Sequence, residues 1–124
     1  MDTEPIFTTL FENPLNNITL LGGFVFMIMG YIMYVFPPKK INSLYGYRTK
    51  RSMENQEKWD FAQIYSSKEM MKWGFVLACG FLLSFITHFD NTINMNIGLG
   101  LMFVTVFILF WRVEKAIKNQ FEAS

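Results

Sequence analysis

Three apolar stretches free of charged residues, Ile18 to Phe36, Trp73 to Thr87 and Ile97 to Trp111, alternate along the chain with polar segments that carry all of its lysines and arginines. About 20 helical residues at 1.5 Å rise cross the roughly 30 Å hydrocarbon core of a bilayer. The first stretch reaches that length alone. The other two reach it with their mildly polar flanks, Met70 to Lys72, His88 to Phe89 and Ile93 to Asn96. The pattern predicts an all-α integral membrane bundle of three transmembrane helices, over about residues 18–36, 70–89 and 93–113, with residues 1–124 forming one module and 37–69 a loop.

Punctuation refines the elements. Pro37-Pro38 ends the first helix, because proline lacks an amide hydrogen and clashes with the preceding turn. Ser66-Ser67-Lys68-Glu69 reads as a capping box that starts the second span. Within the loop, Ser52 is an N-cap candidate for a short amphipathic helix through about Tyr65, with Trp59, Ala62 and Tyr65 on one side. Such a helix lies flat on the inner leaflet or packs beneath the bundle. Gly46, between two tyrosines, suits a backbone position with positive φ. Gly74 with Ala78, and Gly80 with Ser84, are spaced for close helix approach.

Composition supports the membrane reading: 52% of the 124 residues are hydrophobic, with 14 Phe and 9 Met. The net charge is only +1, but its distribution is uneven. Eight cations lie in 37–72 (Lys39, Lys40, Arg48, Lys50, Arg51, Lys58, Lys68, Lys72) and three in the tail (Arg112, Lys115, Lys118), which accounts for all eleven. Short basic segments remain cytoplasmic. The expected topology in the plasma membrane is therefore multi-pass, with an outer amino terminus, a cytoplasmic loop and a cytoplasmic carboxyl terminus. Tyr31, Tyr34, Trp73 and Trp111 fall where an interfacial aromatic belt belongs, with Lys72 and Arg112 snorkelling beside them. Met1 to Pro14 carries Asp2, Glu4 and Glu12 and no cation, unlike the n-region of a cleaved signal peptide, so the first helix is expected to stay in the mature protein.

The chemistry on offer is narrow. No ionisable residue sits in the middle of a span, which disfavours a pump or proton relay within one chain; an oligomeric pore would be lined by Thr19, Ser84 or Thr105. One histidine, His88, and one cysteine, Cys79, make neither a metal site nor an intramolecular disulfide, and the expectation is a protein that is not an enzyme and takes no cofactor. The basic loop is balanced by Glu54, Glu57, Asp60 and Glu69, which argues against nucleic acid. Lipid attraction of about 1 kcal/mol per surface cation accounts for Lys39, Lys40, Lys50 and Arg51. Arg48 either grips a phosphate or carboxylate through its planar guanidinium, with Tyr47 and Thr49 adding hydroxyls, or pairs with Glu54, Glu57 or Asp60, with Trp59 as an interfacial anchor.

The string Asn42, Gly46-Tyr47-Arg48-Thr49, Ser52-Met53, Asn55, Trp59, Ala62-Gln63 resembles the signature of the SdpI/YfhL family of small bacterial membrane proteins, in which it follows one transmembrane helix and precedes two more. The resemblance runs from about Lys39 to the third helix. It departs at Lys50, where many members carry proline, and at Gln63-Ile64, where a more polar or basic pair is usual; longer members also have extra helices ahead of the module. The family is named after an immunity protein that protects a producing cell from its own toxic peptide. The resemblance thus implies a membrane binding protein acting in immunity or signalling, with Asn42, Gly46, Tyr47, Arg48, Thr49, Ser52, Asn55 and Trp59 at the binding site. Expected partners are the lipid bilayer, a toxic peptide or regulatory protein, and further copies of the chain. The alternative is a structural subunit of a larger membrane complex such as a transporter.

Overall fold

A computed structural model describes residues 11–86 and 88–122. These form three long helices: α1 (Pro14–Val35), α2 (Gln56–Ala78), which tightens directly into a 3-10 segment (Cys79–Phe85), and α3 (Asn91–Phe121). The expected outer position of residues 1–10, and Thr87 at the close of the second apolar stretch, lie outside the described residues.

The helix ends follow from local chemistry. Asn13 caps α1 by accepting the Leu15 amide, with Pro14 supplying a pre-set φ. Asn55 caps α2 through the Lys58 amide and Asp90 caps α3 through the Ile93 amide. At the other end of α1 the Phe36 amide closes the last turn on the Ile32 carbonyl, and Pro37-Pro38 stops it, as the sequence predicts.

The second helix differs from its expectation. Ser52 does not cap a helix, and α2 runs unbroken through Ser66, so the expected short amphipathic helix and the start of the second apolar stretch belong to one helix. The Ser66 and Ser67 hydroxyls donate back to the Gln63 and Ile64 carbonyls, three residues earlier in the same helix, and are not free to cap. Glu69 turns sideways to α3. No glycine or proline interrupts 52–72, so nothing breaks the helix there.

Successive helices run antiparallel, with the loop 36–55 and the end of α3 together at one end of the bundle. The pairing shows in the contacts: Gly23 lies against Gly74 and Ala78, and Gly30 against Ser67. A Cβ at Gly23 would stand 2.5 Å from the Gly74 carbonyl oxygen, and one at Gly74 would stand 2.8 Å from that of Gly23. Small residues thus let two backbones touch, a kind of close approach also found between helices within a bilayer. Gly98 on α3 receives Ile18 of α1 in the same manner.

Burial is distributed inside out. Trp59, Ala62, Val113 and Ile117 are sealed at the loop end, with Tyr47, Phe61, Tyr65 and Phe121 packed around the last three. Along α1 and α3, only 22% of the most apolar window is buried, and Phe24, Ile28, Phe103 and Phe107 point outward. A soluble core helix hides such residues; these two helices are long and apolar enough to cross a membrane. By itself α2 does not meet that standard, because its first turns carry Glu57, Lys58, Asp60, Lys68, Glu69 and Lys72.

Lengths match nonetheless. The 31 residues of α3 span about 46 Å at 1.5 Å each. The 23 residues of α2 and the seven of the 3-10 segment, at about 2.0 Å rise for the latter, span about 48 Å.

Replacing Gly74 with Ala forces a Cβ against the α1 backbone and should cost about 1–3 kcal/mol, whereas Gly100→Ala meets nothing within 4 Å. Thermal unfolding in detergent is expected to fall clearly for the first and hold or rise for the second. Equal melting of the two variants would refute the close approach.

Candidate functional site

The segment 36–55 contains no long helix, so its polar backbone groups need partners from elsewhere. They come from side chains. The Tyr45 hydroxyl donates to the Phe36 carbonyl (2.7 Å), the Trp59 indole to that of Pro38 (2.8 Å) and the Gln56 carboxamide to that of Lys39 (2.6 Å). Asn42 accepts the amides of Leu44 and Tyr45 and donates to the Lys40 carbonyl, fixing the first turn.

Gly46 follows with φ +112°, the one positive value among the described residues. A Cβ there would stand 2.6 Å from Gln63 Oε1 and 2.7 Å from Pro38 Cγ. Only glycine fits, both for its backbone angle and for the closeness of α2. Next, the fully buried Gln63 takes the Tyr47 amide on its oxygen (2.7 Å) and donates its nitrogen to the Tyr47 carbonyl (2.8 Å), much as a neighbouring strand would.

A second anchor lies on α3. Oε2 of Glu114 accepts the hydroxyls of Tyr47 (2.8 Å) and Thr49 (2.9 Å), while its Oε1 faces Arg51 at 3.4 Å. Burial first, and then the Glu114 carboxylate, push the Tyr47 hydroxyl well above the ordinary tyrosine value, so it stays a donor. Thr49 and Ser52 exchange bonds: the Thr49 amide donates to Ser52 Oγ (2.8 Å) and the Ser52 amide to Thr49 Oγ1 (3.1 Å). Arg51 also reaches Glu122, which Lys58 meets at 3.8 Å while bonding Glu54 at 3.1 Å.

Below this layer, Glu69 joins α2 to α3. It receives Arg112 Nε (2.7 Å) and Nη2 (3.3 Å), the Trp73 indole (2.8 Å), and Lys72 at 3.4 Å. Burial raises the Glu69 carboxyl, but the bonds from Arg112 and Trp73 outweigh it and hold it below the ordinary glutamate value.

Seven of the eight signature residues therefore hold the loop's conformation or its junction with α2: Asn42, Gly46, Tyr47, Thr49, Ser52, Asn55 and Trp59. Trp59 is wholly buried under Pro38, so it is not an interfacial anchor. Arg48 is the exception. It pairs with none of Glu54, Glu57 or Asp60; its guanidinium donates to the Ser43 carbonyl and makes no ion pair among the described residues. It stands beside a groove of about 440 Å³ lined by Met29, Ile32, Met33, Leu44, Tyr45, Gly46, Tyr47, Met70 and Phe110. Lys39, Lys40 and Lys50 are exposed and likewise unpaired among the described residues, whereas Arg51 belongs to the Glu114 cluster.

These residues match a known pattern. The SdpI/YfhL protein family model matches residues 39–113. The chain belongs to the SdpI/YfhL family. It is also 40% identical over 100 residues to the uncharacterized protein YfhL of Bacillus subtilis (strain 168), an alignment that covers 80% of this chain and 84% of that protein. No solved structure matches it. The family signature is thus largely a lock that folds a loop onto two helices. The family match stops one residue before Glu114, the lock's partner on α3, and sequence reasoning missed that residue. Its signal was available: Glu114 is the one acid among the cations Arg112, Lys115 and Lys118, beside the inward-facing Val113 and Ile117.

Strain of about 1–2 kcal/mol at Gly46 opens the lock in a Gly46→Ala variant. Trypsin in detergent should then cleave after Arg48, Lys50 or Arg51 about tenfold faster, because cleavage tracks the open population. Unchanged cleavage would count against the lock.

Proposed function

We propose that this SdpI/YfhL family member crosses the plasma membrane three times and is a binding protein whose recognition site is the loop around Arg48, acting in immunity or signalling. The remaining crossing is the second stretch, over about residues 70–89, in which the 3-10 segment Cys79–Phe85 gives more rise per residue than an α-helix. The amino terminus faces outward and the loop and tail face the cytoplasm. Clustering of the loop and the basic end of α3 at one end of the bundle supports this orientation, because all eleven cations then lie toward one side.

The observation that carries the reading is the contrast between Arg48 and its neighbours. The other seven signature residues hold the loop or its junction with α2, whereas Arg48, whose guanidinium donates to the Ser43 carbonyl, has no carboxylate partner among the described residues and lies beside an apolar groove. The ligand meets a preformed surface, which lowers the ordering cost of binding. Protection against a toxic peptide is the activity that the family resemblance supplies for such a site.

Cells expressing the protein are expected to survive secreted antimicrobial peptides better than cells lacking it, and Arg48→Ala should abolish that advantage at an unchanged membrane level. Full protection by the variant refutes the role of Arg48. No protection from any peptide, together with a stable hetero-complex in detergent, favours the reading as a structural subunit.

A further inference from the structure

The groove beside Arg48 lies at a definite level along the bundle. Gly30 of α1 lies against Ser67 and Met70 of α2, and Arg112 of α3 binds Glu69, so Met29 to Met33, Met70 and Phe110 share one level. That level carries Lys68, Lys72, Trp73, Trp111 and Arg112, the cations and indoles that mark a membrane surface. The groove therefore begins where headgroups meet acyl chains.

Its lining has two parts of different chemistry. Met29, Ile32, Met33, Met70 and Phe110 make an apolar slot, and thioethers adapt to a flexible occupant better than branched side chains do. Met29, Ile32 and Phe110 are each 44–49% exposed, so the slot opens toward the lipid side. Met70 and Phe110 also line a smaller apolar cavity of about 150 Å³, which extends the slot inward. On the other side stands one guanidinium, Arg48, without a carboxylate among the described residues; Arg51 and Arg112 both have one.

We propose that this groove is a binding site for one anionic phospholipid, with its phosphate on the Arg48 guanidinium and an acyl chain along Met29, Met33, Met70 and Phe110. The proposal deepens the reading of Arg48 as the recognition site and rests on the loop lying at the membrane surface. A guanidinium takes phosphate through two parallel hydrogen bonds, and a basic pocket between membrane helices on the cytoplasmic side is a recurrent seat for anionic headgroups. An inorganic phosphate would meet the cation but leave the slot empty. A zwitterionic lipid would fill the slot while bringing its own cation to Arg48.

Delipidated full-length protein in neutral detergent is titrated with phosphatidylglycerol, phosphatidylcholine or inorganic phosphate, and retained adducts are counted by native mass spectrometry. One phosphatidylglycerol per chain is expected to be retained, at least tenfold more tightly than phosphatidylcholine, and inorganic phosphate is expected not to displace it. Arg48→Gln should lose about tenfold, whereas Lys118→Gln, an equal charge change at the tail, should stay within twofold. If Arg48→Gln does not accumulate, Arg48→Lys carries the test, because it keeps the charge but loses the planar fork; a severalfold loss is expected. Equal retention of the two lipids, displacement by phosphate, equal losses in Arg48→Gln and Lys118→Gln, or unchanged binding in Arg48→Lys each overturns the site. Survival of peptide-challenged cells is a separate readout, so lipid binding can fail while the recognition role of Arg48 stands, and the reverse.

Discussion

The two hydrogen bonds between the Gln63 carboxamide and the backbone of Tyr47, 2.7 and 2.8 Å, fix the middle of the loop on α2. A segment without regular structure must still pair its amides and carbonyls, and a buried carboxamide can serve one of each. Once Tyr47 is held on α2, its hydroxyl reaches Glu114 on α3, and Thr49 joins the same carboxylate oxygen. Gly46 is then required, because any other residue would strike Gln63 and Pro38. Arg48, between the two anchored residues, is left beside the groove.

Two different physical regimes meet in this molecule. At the loop end, Ala62, Val113 and Ile117 form a small buried core of the kind found in water-soluble proteins, with the ion pair of Arg51 and Glu114 near it. Farther along the bundle the large apolar side chains face outward, and the helices meet through Gly23, Gly30, Gly74 and Gly98. The Glu69–Arg112 pair lies near the change between the regimes. Removing Arg112 leaves the Glu69 carboxylate to Lys72 and the Trp73 indole, and losing one partner of a buried pair costs more than the pair itself contributes.

Local features of the chain were legible in advance where the cause was local. Pro37-Pro38 ends α1, Gly46 takes positive φ, and Trp59 and Ala62 share an inward face, all as spacing and residue type predict. The apolar stretches gave helices, though α3 runs to Phe121 and the second stretch winds into a 3-10 segment that hydropathy does not reveal. Errors arose where a residue had a distant suitor. Ser66 and Glu69 have the spacing of a capping box, yet Glu69 binds Arg112, 43 residues on. Gln63, which looks like a departure from the family signature, holds the Tyr47 backbone across 16 residues, and Glu114 reaches back 67 residues to the hydroxyl of the same residue. No pattern confined to one or two helical turns contains those partners.

Amide hydrogen exchange over residues 45–50, in the intact protein and in Gln63→Ala, tests the lock most directly. The account predicts that the Tyr47 and Thr49 amides of the intact protein exchange as slowly as those of α2, and that Gln63→Ala releases Tyr47 while α2 stays protected. Exchange of Tyr47 at the rate of an exposed peptide in both proteins would contradict it.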